Sequence, residues 1–291
     1  MDVHLEALWP LLALVFSLCG AVIVGFNHYA QVDGAKLVVL RWLGVVPLAG
    51  LSFVLLPWPT DMLFYALAAA MGLGLALADK LLFNAAAVHG GRLTALYIPM
   101  KMLLGFGLWG LLAPASVTML LGEPWRGLLV LAGFMACIYA FVHLRRNDAS
   151  KAALVAVLPV AVLLALGDVV AKYALGTPEG GLGPVVGSAS AFLAVTTTVG
   201  CMVGMLMAGR FVPTRREVVL SAIFGVILMV SLSLFLVTLA LAPNPGYVGA
   251  ITMLSALWLA VHGYFHHGER TSWWSGMLLV AGAVLVVVGA A

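Results

Sequence analysis

Residues 152–175 read AALVAVLPVAVLLALGDVVAKYAL, and this stretch decides the class of fold. Its 24 residues include two charged side chains, Asp168 and Lys172. A helix needs about 20 predominantly apolar residues to cross the hydrocarbon core of a bilayer, so this stretch can span one. The whole chain has a similar composition, with 64% hydrophobic and 9% charged residues. Because a soluble domain needs a more polar exterior, we predict an all-α membrane protein.

Charged or Pro/Gly-rich hinges divide the chain into ten apolar segments, and the connections are too short to hold a soluble domain. The first segment follows Asp2 and Glu6 without a basic residue, so we do not expect it to be a cleaved signal peptide. The ten predicted spans are residues 8–30, 37–56, 62–86, 93–112, 126–144, 152–175, 185–209, 218–241, 247–265 and 273–290.

The basic residues of the connections predict an orientation. Ten Lys and Arg residues flank the odd-numbered connections, whereas the even-numbered connections and the termini hold one, Arg126. Because cytoplasmic loops carry the excess of basic residues, this distribution places the odd connections in the cytoplasm and both termini outside. The ten residues are Lys36, Arg41, Arg92, Arg145, Arg146, Lys151, Arg210, Arg215, Arg216 and Arg270.

The two halves of the sequence resemble each other at two places. His28-Tyr29-Ala30 at the end of span one matches Lys172-Tyr173-Ala174 at the end of span six, 144 residues later. Gly122-Glu123-Pro124 before span five matches Gly268-Glu269-Arg270 before span ten, 146 residues later. Matching sites lie five spans apart, and an odd number of spans inverts the second copy. We therefore predict two inverted five-helix repeats, residues 1–146 and 147–291, as in many secondary transporters.

The stretch from Ala242 to the C-terminus resembles the last two helices of EamA-like members of the drug/metabolite transporter superfamily. The resemblance rests on a small-residue helix, the Gly268-Glu269-Arg270 signature and a Gly-bearing final helix, WWSGMLLVAG. LGEPWRGLLVLAG, from Leu121, is similar to the same signature at the end of the first repeat. The resemblance implies a central cavity surrounded by spans one to four and six to nine. It also implies cytoplasmic termini, opposite to the orientation that the charges favour.

Ionisable side chains inside a span are expensive and usually face the interior of the bundle. We therefore expect the five in-span charges to be candidate substrate or coupling residues. Asp168 and Lys172, four residues apart, are expected to pair, as are Asp79 and Lys101 on neighbouring helices. Lys80 and Lys172 lie nearer the span ends, where a long side chain can instead reach the headgroups. The full candidate set is Asp79, Lys80, Lys101, Asp168, Lys172, Asn84, Asn27 and the mid-span Trp258.

The sequence contains no Walker A, HExxH, CxxC or GxSxG motif, so we expect neither an enzyme nor a cofactor or metal site. We expect a secondary transporter, an exporter in the inner cell membrane that moves a small polar or amphipathic metabolite by alternating access. Its partners would be this solute, the bilayer and protons as a candidate coupling ion, without nucleic acid, in a monomer or homodimer. The alternatives are a lipid-linked flippase, a facilitative exchanger of an anionic or zwitterionic metabolite, and a non-transporting scaffold.

Overall fold

A computed structural model describes residues 5–30, 34–56, 58–89, 95–145, 151–176, 181–208, 212–267 and 271–291. Every regular element within these ranges is helical, beginning with a 3-10 turn at Leu5–Leu8. The α-helices are α1 (Trp9–Ala30), α2 (Gly34–Leu55), α3 (Met62–His89), α4 (Tyr97–Leu112), α5 (Ala115–Gly122), α6 (Pro124–Arg145), α7 (Lys151–Leu175), α8 (Leu182–Ala208), α9 (Arg215–Leu241), α10 (Pro245–Thr252), α11 (Leu254–His267) and α12 (Trp273–Ala290).

The long helices are those of an α-helical, multi-pass membrane protein. Within the described ranges, seven segments are long and apolar enough to cross a membrane. An eighth is added if α4 and α5, which meet at an angle of 99°, are one broken span. Predicted spans one and two fall on α1 and α2, where the apolar runs Trp9–Ile23 and Trp42–Leu51 are shorter. The ten-span count therefore stays a prediction.

Polar residues mark where α9 and α10 begin. Thr214 precedes α9, and its hydroxyl accepts a hydrogen bond from the Glu217 backbone N–H while the Glu217 carboxylate accepts one from the Thr214 N–H. Asn244 precedes α10, and its side-chain oxygen accepts from the N–H of Gly246 at 2.8 Å. These caps satisfy N–H groups that have no partner within a helix, which stabilises each start.

The two halves of the chain interleave, because most helices of the first half pack on helices of the second. The shared interfaces are α1 with α9, α10 and α11, α2 with α8 and α9, α3 with α7 and α8, α4 with α7 and α10, and α6 with α12. The last interface lies at the side of the bundle, where α6 and α12 pack mainly on each other. The central space is therefore enclosed by helices from both halves.

Several helix crossings bring backbones into direct contact, among them the crossing of α2 with α9 and that of α3 with α8. Gly44 of α2 lies against Gly225 of α9, where a methyl group added to Gly225 would lie 2.7 Å from the Gly44 Cα. One turn earlier on each helix, the Ser221 hydroxyl donates to the Leu40 carbonyl at 2.7 Å. Small residues allow such close approach in a bilayer, where no hydrophobic drive holds helices together.

The second crossing joins α3 and α8. A methyl group added to Gly72 would lie 2.5 Å from the carbonyl oxygen of Thr196, and Gly200 lies alongside. The Thr196 hydroxyl donates to the Ala68 carbonyl at 3.0 Å, again one turn before the glycines. These two crossings hold α2, α3, α8 and α9 together around the central space.

Candidate functional site

A cavity of about 200 Å³ lies between the two halves of the chain. Its volume is below the roughly 300–1,000 Å³ of typical ligand pockets, so it suits a small solute. Its walls come from α1 to α4 and α7 to α9, and none of the lining residues belongs to α6 or α12. Three lining residues are charged (Asp79, Lys101 and Asp168) and five are aromatic (Phe16, Trp42, Tyr97, Phe192 and Phe235).

A salt bridge crosses the cavity wall between the two halves. Lys101 Nζ of α4 lies 2.8 Å from Asp168 Oδ2 of α7, and the two side chains are 22% and 9% exposed. At this burial each charge depends on the other, because removing one partner of a buried pair typically costs about 3–5 kcal/mol. The structure thus places the predicted site residues Lys101 and Asp168 together, but it pairs them across the halves.

The partners of these two residues differ from the sequence prediction. Lys101 was expected to pair with Asp79 of the preceding helix, and Asp168 with Lys172 on its own helix. In the structure α4 packs against α7 and α10, which brings Lys101 to Asp168. Consecutive position in the chain is therefore a poor guide to neighbours in this bundle.

Lys172 is buried one turn beyond Asp168, with 5% of its surface exposed. Its ammonium donates a hydrogen bond to the Ala240 carbonyl of α9 at 2.7 Å and lies 5.9 Å from the centre of the Trp109 ring of α4. Ala240 is among the last four residues of α9, whose carbonyls lack intrahelical donors and carry the negative end of the helix dipole. Lys172 therefore caps the C-terminus of α9.

The three polar candidates of α3 divide between the cavity and the surface. Asp79 is buried and lines the cavity. Lys80 and Asn84 are exposed and do not contribute to the lining. Because helical residues one position apart point in different directions, only Asp79 of this group stays with the charged residues of the cavity.

An aromatic pair covers one side of the salt bridge. The rings of Phe16 and Phe235 lie 4.9 Å apart, joining α1 to α9. Lys101 Nζ lies 5.1 Å from the centre of the Phe235 ring, within the range of a cation–π interaction. The ammonium of Lys101 thus contacts both a carboxylate and an aromatic face.

Trp258 lies behind the cavity wall. Its indole N–H donates to the Ser17 hydroxyl at 2.9 Å, and Ser17 in turn donates to the Leu14 carbonyl of α1. Trp258 is absent from the cavity lining. It instead holds α1 in place at Ser17, the residue after the lining residue Phe16. The side chain of Asn27, another candidate, lies outside the part of the molecule that the structure describes.

The aromatic lining was missed by reasoning from sequence. An in-span charge stands out because it is rare, whereas a Phe or Trp is common in membrane helices and also packs between helices or faces lipid. Phe192, Phe235 and Trp42 lie within predicted spans, and their sequence context does not separate a cavity role from a packing or lipid-facing role. Tyr97 precedes Lys101 by one turn of α4, and this spacing was the available hint.

Metal-ligating side chains do not cluster within the described ranges: no group of three or more His, Cys, Asp or Glu residues could hold an ion. His262 and His266, one turn apart on α11, have ring centres 4.5 Å apart, and both are exposed. They lie on a helix that contributes none of the cavity lining.

Comparison with known proteins shows that this fold occurs in a solved structure. The sequence matches no protein-family model and no curated protein. The structure is similar to that of a protein solved by crystallography, with a TM-score of 0.69, 14% sequence identity and coverage of 98% of each chain. At this identity the likeness shows the fold alone. The arrangement of helices thus occurs, over nearly its whole length, in an experimentally determined structure.

Proposed function

We propose that this protein is a secondary transporter of the EamA-like type that exports a small polar or amphipathic metabolite by alternating access. The bundle would comprise ten spans in two inverted five-helix repeats in the inner cell membrane. The observation that carries the proposal is the Lys101–Asp168 salt bridge, which lines an aromatic cavity and joins one half of the chain to the other. Charges inside a membrane bundle commonly mark a solute or ion pathway.

The packing of the helices supports the repeat. Exchanging the first five predicted spans with the last five replaces α1 by α7, α2 by α8, α3 by α9, α4 by α10 with α11, and α6 by α12. The α3–α7 interface then becomes α9–α1, and α3–α8 becomes α9–α2. The α4–α7 interface becomes the interface of α1 with α10 and α11. The α2–α8, α4–α10 and α6–α12 interfaces map onto themselves.

The glycine crossings support the same exchange. Gly44 and Leu40 of α2 would correspond to Gly200 and Thr196 of α8, both 156 residues later. The equivalent offset from Gly72 and Ala68 of α3 to Gly225 and Ser221 of α9 is 153 residues. Each crossing has one hydroxyl-to-carbonyl bond one turn before its glycines. Two crossings of this kind are expected when a pseudo-two-fold axis relates the halves.

Flux measured in reconstituted vesicles tests the proposal. A thermal-shift screen of the purified protein against a metabolite library would first select solutes, whose uptake is then followed with and without a pH gradient. We expect substrate-dependent flux in the wild type and its loss in Lys101→Met, which removes the charge of the salt bridge. Lys80→Met, which alters an exposed lysine, is the matched control and should retain flux.

The outcomes separate the alternatives. Flux that rises with the imposed pH gradient indicates proton coupling, and flux that depends only on solute on the opposite side indicates facilitative exchange. Movement of a labelled lipid without movement of any solute would replace the proposal by a flippase. If Lys101→Met shows wild-type flux, the salt bridge is not part of the transport pathway. If neither a solute nor a lipid moves in the wild type, the protein is a non-transporting scaffold.

A further inference from the structure

The Lys101–Asp168 salt bridge keeps hydrogen-bonding groups for a solute. An ammonium has three N–H donors and a carboxylate has two acceptor oxygens. Within the described part of the chain, the polar contact of both side chains is the 2.8 Å contact between Lys101 Nζ and Asp168 Oδ2. Both residues line the cavity. Two N–H groups of Lys101 and the second oxygen of Asp168 therefore remain for a bound molecule.

The two opposite charges of this pair lie too close together to accept a solute of one charge. An anion drawn to the Lys101 ammonium comes near the Asp168 carboxylate, and a cation drawn to Asp168 comes near Lys101. Like charges at such distances repel strongly where burial lowers the effective dielectric constant. The pair therefore disfavours both simple anions and simple cations.

A solute that carries a carboxylate and an ammonium side by side avoids this conflict. Its carboxylate accepts hydrogen bonds from the remaining N–H groups of Lys101, and its ammonium donates to the second oxygen of Asp168. Charges of opposite sign then alternate around the four groups, and the salt bridge stays intact. Hydrogen bonds between charged groups are also stronger than those between neutral ones.

The wall around the pair fits an apolar side group. The Phe235 ring centre lies 5.1 Å from Lys101 Nζ, and Phe16 packs on Phe235. Leu232 and Leu236 of α9 line the cavity beside Phe235. The Thr196 hydroxyl, also in the lining, already donates to the Ala68 carbonyl. A solute held at the salt bridge thus meets mainly aromatic and aliphatic surface with the rest of its structure.

We propose that the cavity binds a small zwitterion with neighbouring charges and an apolar side group, its carboxylate on Lys101 and its ammonium on Asp168. This inference rests on the proposed transport function and names the substrate class of the same site. The volume of about 200 Å³ limits the solute to a few carbon atoms beyond the two charged groups.

Binding of matched probes tests the selection by charge. Leucine, isopentylamine and isocaproate share one branched side group and carry both charges, the ammonium alone and the carboxylate alone. Alanine, ethylamine and propionate form the same series with a smaller side group. In titration calorimetry of the purified protein, we expect the zwitterion of at least one series to bind about tenfold or more tighter than both analogues, because each lacks one charged hydrogen bond.

Removing one charge of the pair should change which probe binds best. Lys101→Met leaves the Asp168 carboxylate, so the amine should bind best, and Asp168→Asn leaves the Lys101 ammonium, so the carboxylate should bind best. The double variant Asp168→Asn with Lys101→Gln should lose the preference for the zwitterion. Lys80→Met, at an exposed position outside the lining, is the matched control and should keep the wild-type ranking.

The separation of the two charges in the probe provides a second control. The compound ε-aminocaproate is an isomer of leucine with its ammonium and carboxylate at opposite ends of the chain. It should bind no tighter than isopentylamine, because its two charges do not reach adjacent groups together in an extended form. Binding equal to that of leucine would contradict the requirement for neighbouring charges.

The ranking decides the proposal even if a variant is unstable. Each variant must elute as one species from a sizing column, and where a single variant fails, the double variant and the wild type decide. An unchanged ranking in the double variant, or no preference for a zwitterion in the wild type, would overturn the proposal. Tightest binding of the amine by the wild type would also overturn it and indicate a cation site that includes the lining carboxylate of Asp79.

Binding requires no movement across the membrane, so this experiment separates the two proposals. The expected ranking without any flux of leucine or alanine into vesicles would reject only the proposed transport function. Flux of another solute, together with no preference for a zwitterion, would reject only the substrate class.

Discussion

Gly44 and Gly225 bring the backbones of α2 and α9 into contact, with only 3.0 Å between a methyl group added to Gly44 and the Cα of Gly225. No other residue type fits there without moving a helix, because the nearest atoms are backbone atoms. The crossing therefore fixes where α9 lies, and α9 supplies Phe235 and Ala240 to the two lysines.

Gly225→Ala should destabilise the protein by about 1–3 kcal/mol, the usual effect of forcing an extra methyl group into a packed interface. Gly74→Ala is the matched control, since Gly74 also lies within a membrane helix but has open space around it. Replacing glycine by alanine in a helix interior is otherwise favourable by about 1 kcal/mol, so the control should be neutral or stabilised. Thermal unfolding in detergent measures both, and equal midpoints would contradict close packing at Gly225.

The two hydroxyl bonds beside the crossings should contribute equally. Ser221→Ala and Thr196→Val each remove one bond between helices, worth on average about 0.6 kcal/mol in a membrane protein. Thr198→Val is the control, because the Thr198 hydroxyl donates to Ala194 of its own helix. A chemical unfolding series should give additive losses for Ser221 and Thr196 and less for Thr198. A larger loss in the control would show that the bonds between helices are not the stabilising ones.

The sequence predicted where the helices lie along the chain better than it predicted which helices pack against each other. Apolar length is a local property, so the long helices α3, α6, α7, α8, α9 and α12 fall on predicted spans. Predicted span four ends at residue 112, as α4 does, but no helix was predicted in the connection that holds α5. Ala113 and Pro114 lie in an apolar run, where a proline equally permits a kinked continuous helix.

The high cost of burying ionisable groups singled out five in-span charges. Asp79, Lys101 and Asp168 line the cavity and Lys172 is buried, whereas Lys80 is exposed. Which lysine meets Asp168 depends on the packing of α4 against α7, a contact between residues far apart in the chain. The role of Trp258 depended likewise on the position of Ser17, 241 residues away. Such pairings arise from tertiary packing, which single-sequence patterns do not contain.

Asp168→Asn should cost about 3–5 kcal/mol of stability, because it leaves the Lys101 ammonium partly buried without its carboxylate. Asp168→Asn combined with Lys101→Gln should recover much of this loss, since neither charge then remains. The combination with Lys172→Gln should recover less, because Lys172 donates its own hydrogen bond to the Ala240 carbonyl. Unfolding midpoints of the single and double variants measure the coupling, and additive losses for the Lys101 combination would contradict the salt bridge.

The charge distribution predicts the orientation of the chain. A reporter active only in the periplasm should be active when fused after Ala291 and silent in the connection between Arg145 and Lys151. The reason is that ten basic residues flank the odd-numbered connections and one, Arg126, flanks the rest, and basic loops are retained in the cytoplasm.

Removing part of the bias provides the control for this prediction. Changing Arg215 and Arg216 to glutamine while adding two lysines beside Glu123 should weaken the preference and yield a mixture of orientations, because loop charges near span ends set topology. A silent reporter after Ala291 in the unmodified chain, together with an active one beside Lys151, would instead establish the orientation that the EamA resemblance implies.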